Sequence, residues 1–123
     1  MGDFDFWVGT WECSWHGGRA TNTITSECGG VVIVERFESD GLQGRSVSVR
    51  SAADGLWRQT WVDSNCTYLD FVGGPVDGGM ELRGGDRRMR WTDVGADRLT
   101  WLWEQQEGDE WTTLWRIEYA RTG

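Results

Sequence analysis

The feature that most constrains this chain is a period of two, restarted repeatedly between glycine turns. Trp57, Gln59 and Trp61 share one parity, as do Met89 and Trp91, Trp101 and Trp103, and Trp111, Thr113, Trp115, Ile117 and Tyr119. Side chains at even spacing line one face of a strand. Turn signals separate the segments: paired glycines at Gly17-Gly18, Gly29-Gly30, Gly73-Gly74, Gly78-Gly79 and Gly84-Gly85, with Asp54-Gly55 and Gly108-Asp109 besides. The segments number about ten, at spacings of roughly 8–12 residues, with no long helix and no linker. The expected fold is all-β: one domain over residues 1–123, a single closed antiparallel up-and-down barrel. A two-sheet sandwich is the alternative, because parity and turn spacing do not show whether a sheet closes on itself.

The stretch from Phe6 to Trp15 challenges that period, since Trp7, Trp11 and Trp15 fall four apart like the stripe of a helix. Four is also even, so the neighbours decide. Gly9, Thr10 and Cys13 are poor helix residues, and Trp11, Cys13 and Trp15 alternate with polar ones, so a strand begins near Gly9. Phe4 to Val8 is expected to form one short helical turn before it. An even strand count brings the start of the first strand beside the end of the last, which pairs Trp11 with Arg121. The guanidinium should cover the indole by cation–π contact, with Trp7, Trp11, Tyr119 and Arg121 forming the barrel's closed end.

Composition narrows the function classes. With 123 residues the chain can bury a single core, and ten tryptophans make its interior heavily aromatic. A net charge of -8 repels phosphate backbones and anionic membranes, so nucleic acid and membrane surfaces are poor partners. The longest aliphatic run, Val31 to Val34, is far below the ~18 residues of a spanning helix, and the start lacks a leader pattern, so a soluble cytoplasmic protein is expected. Cys13, Cys28 and Cys66 have no CxxC spacing and read as small apolar fillers. His16 is the only histidine and has outward parity, which leaves a metal or a heme without a ligand set. No phosphate loop, dinucleotide fingerprint or nucleophile elbow is present, so no cofactor is expected. Asp3, Asp5 and the run Glu104 to Glu110 read as solvated charges.

Three stretches together resemble a known family: Phe4-Asp5-Phe6-Trp7-Val8-Gly9-Thr10-Trp11, Trp57-Arg58-Gln59-Thr60-Trp61-Val62-Asp63-Ser64, and Trp115-Arg116-Ile117-Glu118-Tyr119-Ala120-Arg121. With Tyr68-Leu69-Asp70-Phe71 and Arg88-Met89-Arg90-Trp91, they are similar to a bacterial lipocalin-like family, the domain-of-unknown-function family 1579. The likeness spans nearly the whole chain. It implies a calycin-type barrel entered at Gly9 to Trp11, and it supplies no activity. The chain departs from the family at Ala53, where tyrosine is usual before Asp54, and at Asn65-Cys66, which replaces a glycine turn.

Nine of the ten tryptophans, all but Trp7, have the inward parity of their strands, together with Phe37, Leu69, Phe71, Met80 and Leu82. Eight strands make a barrel that side chains fill, and about ten make a wider one, so an aromatic-lined cavity is expected, with an interior fully packed by indoles as the alternative. Its aromatic wall would include Trp15, Phe37, Trp61, Trp101, Trp103, Trp111 and Trp115, with Leu69 beside them. Two polar residues share the inward parity: Glu35, between Ile33 and Phe37, and Gln59, between Trp57 and Trp61. Asp63 and Arg45 fall nearer the rim. The strand from Arg45 to Arg50 has two options, since either Val47 and Val49 or Ser46 and Ser48 face inward. A buried Glu35 should have a raised pKa unless Arg45 or a ligand cation neutralises it, and it reads either as a ligand or catalytic group or, more plainly, as a structural carboxylate hydrogen-bonded to Gln59, a tyrosine or an arginine.

These patterns point to a small-molecule binding barrel for an apolar, aromatic or cationic metabolite, with Glu35 and Gln59 fixing its polar end. The rival is a cofactor-independent cyclase, isomerase or hydratase, with Glu35 as acid or base and Gln59 and Tyr119 as hydrogen-bonding groups. Val32, Val34, Leu102 and Leu114 have the opposite parity and need cover, which suggests a homodimer; light scattering that shows only monomer at high concentration would exclude it.

Overall fold

A computed structural model describes residues 2–123 of the chain. A 3-10 turn at Asp5–Trp7 leads into ten strands: β1 (Gly9–Trp15), β2 (Gly18–Glu27), β3 (Val32–Ser39), β4 (Gln43–Arg50), β5 (Trp57–Asp63), β6 (Tyr68–Val76), β7 (Gly79–Gly84), β8 (Arg87–Thr92), β9 (Arg98–Glu107) and β10 (Glu110–Arg121). Each pairs antiparallel with its neighbour in sequence, and β10 returns to pair with β1, so the sheet is a closed barrel and not a sandwich. The closing register sets Trp11 opposite Arg121, as the even strand count requires.

The strand directions give the barrel two unlike ends. The start of β1 and the end of β10 lie at one end, together with the connections after β2, β4, β6 and β8. The N-terminal turn plugs this end. Phe4 stacks on Trp7 at 4.8 Å and meets the edges of Trp57 and Trp91 at 5.4 and 4.9 Å, with Phe4 and Trp7 fully buried. Asp3 is not simply solvated, because its carboxylate accepts a hydrogen bond from the Trp57 indole at 3.1 Å.

Arg121 locks the plug to the wall. Its guanidinium lies 4.2 Å over Trp11 and donates to the carbonyls of Val8 (2.7 Å), Phe6 (3.1 Å) and Ala96 (3.0 Å). The Trp11 indole donates to the Trp7 carbonyl at 2.8 Å, and Tyr119 meets Trp11 edge-on. Gly9 is required here: it has φ +141°, and a Cβ would collide with the Arg121 guanidinium.

Several local expectations need correction. Gly73-Gly74 is not a turn but lies inside β6, where a side chain at Gly73 would strike the Glu81 carbonyl across the β6–β7 pair. Cys13 is a buried filler, whereas Cys28 and Cys66 are exposed in turns with left-handed φ of 54° and 62°. Glu104 is buried and bound by Arg88 and Arg90, so the run it begins is not all solvated. The aliphatics expected outside do lie on the outer face, in two separate places. Val32 and Val34 sit on β3, joined by Val47 and Val49 of β4, whereas Leu102 and Leu114 lie around the barrel on β9 and β10.

The largest departure is Trp111, which points out of the barrel. The β9–β10 register slips between Thr113 and Trp115, so Leu114 is an extra residue in a bulge. Beyond it every side chain of β10 changes face. Trp111 consequently packs outside, under the guanidinium groups of Arg88 (4.1 Å) and Arg83 (5.2 Å).

Candidate functional site

Above the plug the barrel interior holds a pocket of about 320 Å³, at the lower end of the range for small-molecule sites. Indoles form most of its wall. Trp101 and Trp103 stack in parallel at 6.2 Å, Trp115 meets Trp101 edge-on at 5.8 Å, and Trp61 and Phe37 pack edge-on across the opening. Leu69 and Phe71 complete that side. Trp15, expected in the wall, supports it from behind: it packs on Trp115 and Phe37 and faces a shallow outer groove beside His16. Trp7, Trp11 and Arg121 belong to the closed end and do not line the pocket.

The polar residues gather on one side at mid-depth. β4 turns Ser46 and Ser48 inward and leaves Val47 and Val49 exposed, which settles its facing. Ser46 Oγ donates to Glu35 Oε1 at 2.6 Å, and Gln59 Nε2 donates to Ser48 Oγ at 2.9 Å. Asn22 Nδ2 donates both to Glu35 Oε2 and to the Tyr119 hydroxyl, each at 2.8 Å. Glu35, Gln59 and Tyr119 line the pocket, with Asn22 behind them. Asn22 was not picked out from the sequence, and Ser46 and Ser48 entered only as one of two options for the inward face of β4. For Asn22 the signal was there, since it shares the parity of Ala20 and Ile24 along β2.

Arg45 does not neutralise Glu35, because it is exposed and pairs with Glu38 on the outer face. Burial pushes the Glu35 carboxyl above its ordinary value of 4.5, and the hydrogen bonds from Ser46 and Asn22 only partly oppose that. Burial also raises the Tyr119 hydroxyl well above 10.0, with Cys13 and Glu35 adding to the effect. The pocket thus holds a carboxyl and a phenol that both bind their protons more tightly than they would in water.

The mouth carries the opposite character. Burial would raise the Asp63 carboxyl, but hydrogen bonds from the Trp61 indole (2.8 Å) and the Asn65 amide (2.9 Å), with the Thr67 amide, outweigh it and hold the group below 3.8. Across the opening stands Arg87, a pocket residue that periodicity alone did not single out. Its guanidinium lies 5.4 Å over the Trp103 ring. Among the described residues no group of three or more His, Cys, Asp or Glu is placed to hold a metal ion. Among them, too, no helix is long and apolar enough to cross a membrane.

No family model matches the chain, and no curated protein matches it.

Proposed function

We propose that the chain is a small-molecule binding barrel, taking an apolar or aromatic ligand among the indoles with its polar end against Glu35 and Gln59. The observation that carries this is the pocket itself: about 320 Å³ walled by aromatic rings, with a few converging polar groups at one side. A cationic ligand has less support than a neutral one. At mid-depth no free carboxylate waits for it, since two neutral donors already satisfy Glu35 and burial disfavours its charged form. Membership of the lipocalin-like family is proposed on related ground, with the ten-stranded closure and the Arg121 cover over Trp11 as its support.

The experiment is quenching of intrinsic tryptophan fluorescence across a panel of uncharged aromatic compounds, repeated with Trp61→Ala and Gln59→Ala. Saturable quenching that weakens in both variants is the expected result. Absence of quenching by every compound would sink the proposal.

A carboxyl that faces a pocket and that burial makes harder to ionise also supports a second role, catalysis without a cofactor. Glu35 would give its proton to a reacting double bond or leaving group, and Tyr119, tied to it through Asn22, would hold the substrate oxygen. This extends to cyclase, isomerase or hydratase chemistry. Product formed at an unchanged rate by Glu35→Gln would remove Glu35 as the acid.

A further inference from the structure

The β7–β8 hairpin carries four arginines, Arg83, Arg87, Arg88 and Arg90, and the pleat sorts them by face. Three point outward and are claimed: Arg83 Nε donates to Glu81 at 3.1 Å, while Arg88 Nε and Arg90 Nε donate to Glu104 at 2.6 and 3.0 Å. Arg87 has the parity of Met89 and Trp91 and turns to the pocket mouth. Its Nε is buried and has no hydrogen-bond partner among the described residues. Asp86, its chain neighbour, forms only a long ion pair with that Nε at 3.7 Å, beyond hydrogen-bond reach, and both side chains are open to solvent, Arg87 37% and Asp86 62% exposed. A buried N–H of a permanently charged group that lacks an acceptor is costly, and such atoms are ordinarily satisfied.

The surroundings fit an incoming acceptor. Trp103 covers one face of the guanidinium, which fixes its plane and strips water from that side. Asp63 does not take the charge, because the Trp61 indole and two backbone amides occupy its oxygens. β7 and β8 have only six residues each, so the wall is low where Arg87 stands at its top. A molecule entering there passes the guanidinium first and then the aromatic interior.

We infer that Arg87 is the anion receptor of this pocket, and that the ligand is an amphipathic monoanion whose aromatic or alicyclic body lies among the indoles while its carboxylate, or an oxyanion of like shape, is forked by Arg87 at the mouth. This rests on the binding role proposed above and adds the charge and the orientation of the ligand. The planar guanidinium suits a two-oxygen acceptor, and at the far side both Glu35 oxygens are already taken by Ser46 and Asn22.

The test uses two fluorescent probes with the same aromatic body, 1-anilinonaphthalene-8-sulfonate and its uncharged counterpart N-phenyl-1-naphthylamine. They are titrated into the wild type, Arg87→Met and Arg87→Lys, with melting curves to confirm that each variant is folded. Arg87→Met should weaken the sulfonate by about tenfold or more and change the uncharged probe by less than about twofold. Arg87→Lys should fall between, since it keeps the charge and loses the fork. Indole-3-acetate should displace the uncharged probe from the wild type better than indole-3-acetamide does, and lose that advantage in Arg87→Met. Equal weakening of both probes, or an unaltered sulfonate, overturns the Arg87 assignment while the binding role stands. Failure of both probes to bind the wild type overturns the binding role, and this inference with it.

Discussion

The two ends of the barrel are built from the same residue and come out differently. At the closed end Trp7, Trp11 and Trp91 are almost wholly buried, whereas Trp61, Trp101, Trp103 and Trp115 near the mouth remain half-buried around open space. Indole content does not distinguish them. What differs is a plug: the Phe4–Trp7 segment fills the lower bore, and among the described residues no segment enters the upper one. A ten-stranded barrel is too wide for its own wall residues to fill, so the path of one short segment decides which tryptophans become core and which become pocket.

The sharpest way to break this contrast is to remove one indole from each end. Trp91→Ala deletes a ring packed against both Phe4 and Trp7 and should cost about 3–5 kcal/mol. Trp101→Ala removes a ring that already borders a void, so it should cost well under half as much and appear mainly as weaker probe binding. Denaturant midpoints with equal losses for the two would refute the distinction. A smaller effect is expected from Arg121→Ala, about 1–3 kcal/mol, because it removes the cation–π contact and leaves three carbonyls short of a donor. Its melting temperature should fall while ligand quenching stays unchanged; strong loss of binding at normal stability would place the ligand at the wrong end.

The smallest effect concerns pH and isolates the pocket side. Because the folded pKa of Glu35 is raised above its ordinary 4.5, the folded state holds that proton more tightly than the unfolded chain. The contribution is therefore complete below about 4.5 and is lost as pH rises through the folded value. Asp63, Glu104 and Glu118 have lowered values and act in the opposite sense, but they are common to wild type and Glu35→Gln and cancel in the difference. The variant should gain stability relative to wild type as pH climbs from 4 toward 8. A difference in melting temperature that is flat with pH would show that Glu35 is not desolvated.

Much of this was legible in the chain because strand pairing and side-chain facing follow parity. The strand count, the pairing of Trp11 with Arg121, the inward Glu35 and Gln59, and the helical turn before β1 all follow from even spacing and turn residues. The failures have one physical origin. Parity carries no mark of an inserted residue, so the bulge at Leu114 sent Trp111 to the wrong face. It is also silent about which inward group meets which, and the bridge from Glu35 through Asn22 to Tyr119 spans strands far apart in sequence. Arg87 escaped notice among the arginines around it, although its parity matches Met89 and Trp91. What sets it apart from them is a buried Nε with no hydrogen-bond acceptor among the described residues, which only three-dimensional placement reveals.

The Arg121 clasp also bears on the order of folding. Each neighbouring hairpin closes a short loop, but the bonds from Arg121 to Val8 and Phe6 join residues 113 and 115 positions apart. Contacts so distant in sequence carry the largest loop-closure entropy, so the β1–β10 seam forms after the local hairpins have zipped together. Until that moment the chain is an open curl with two bare edges, β1 and β10, each able to recruit a strand from another molecule. Pulsed hydrogen exchange during refolding should find the amides of Trp11 to Ser14 and Glu118 to Arg121 among the last to be protected. The residue that seals the finished barrel thereby also limits how long the unfinished one stays adhesive.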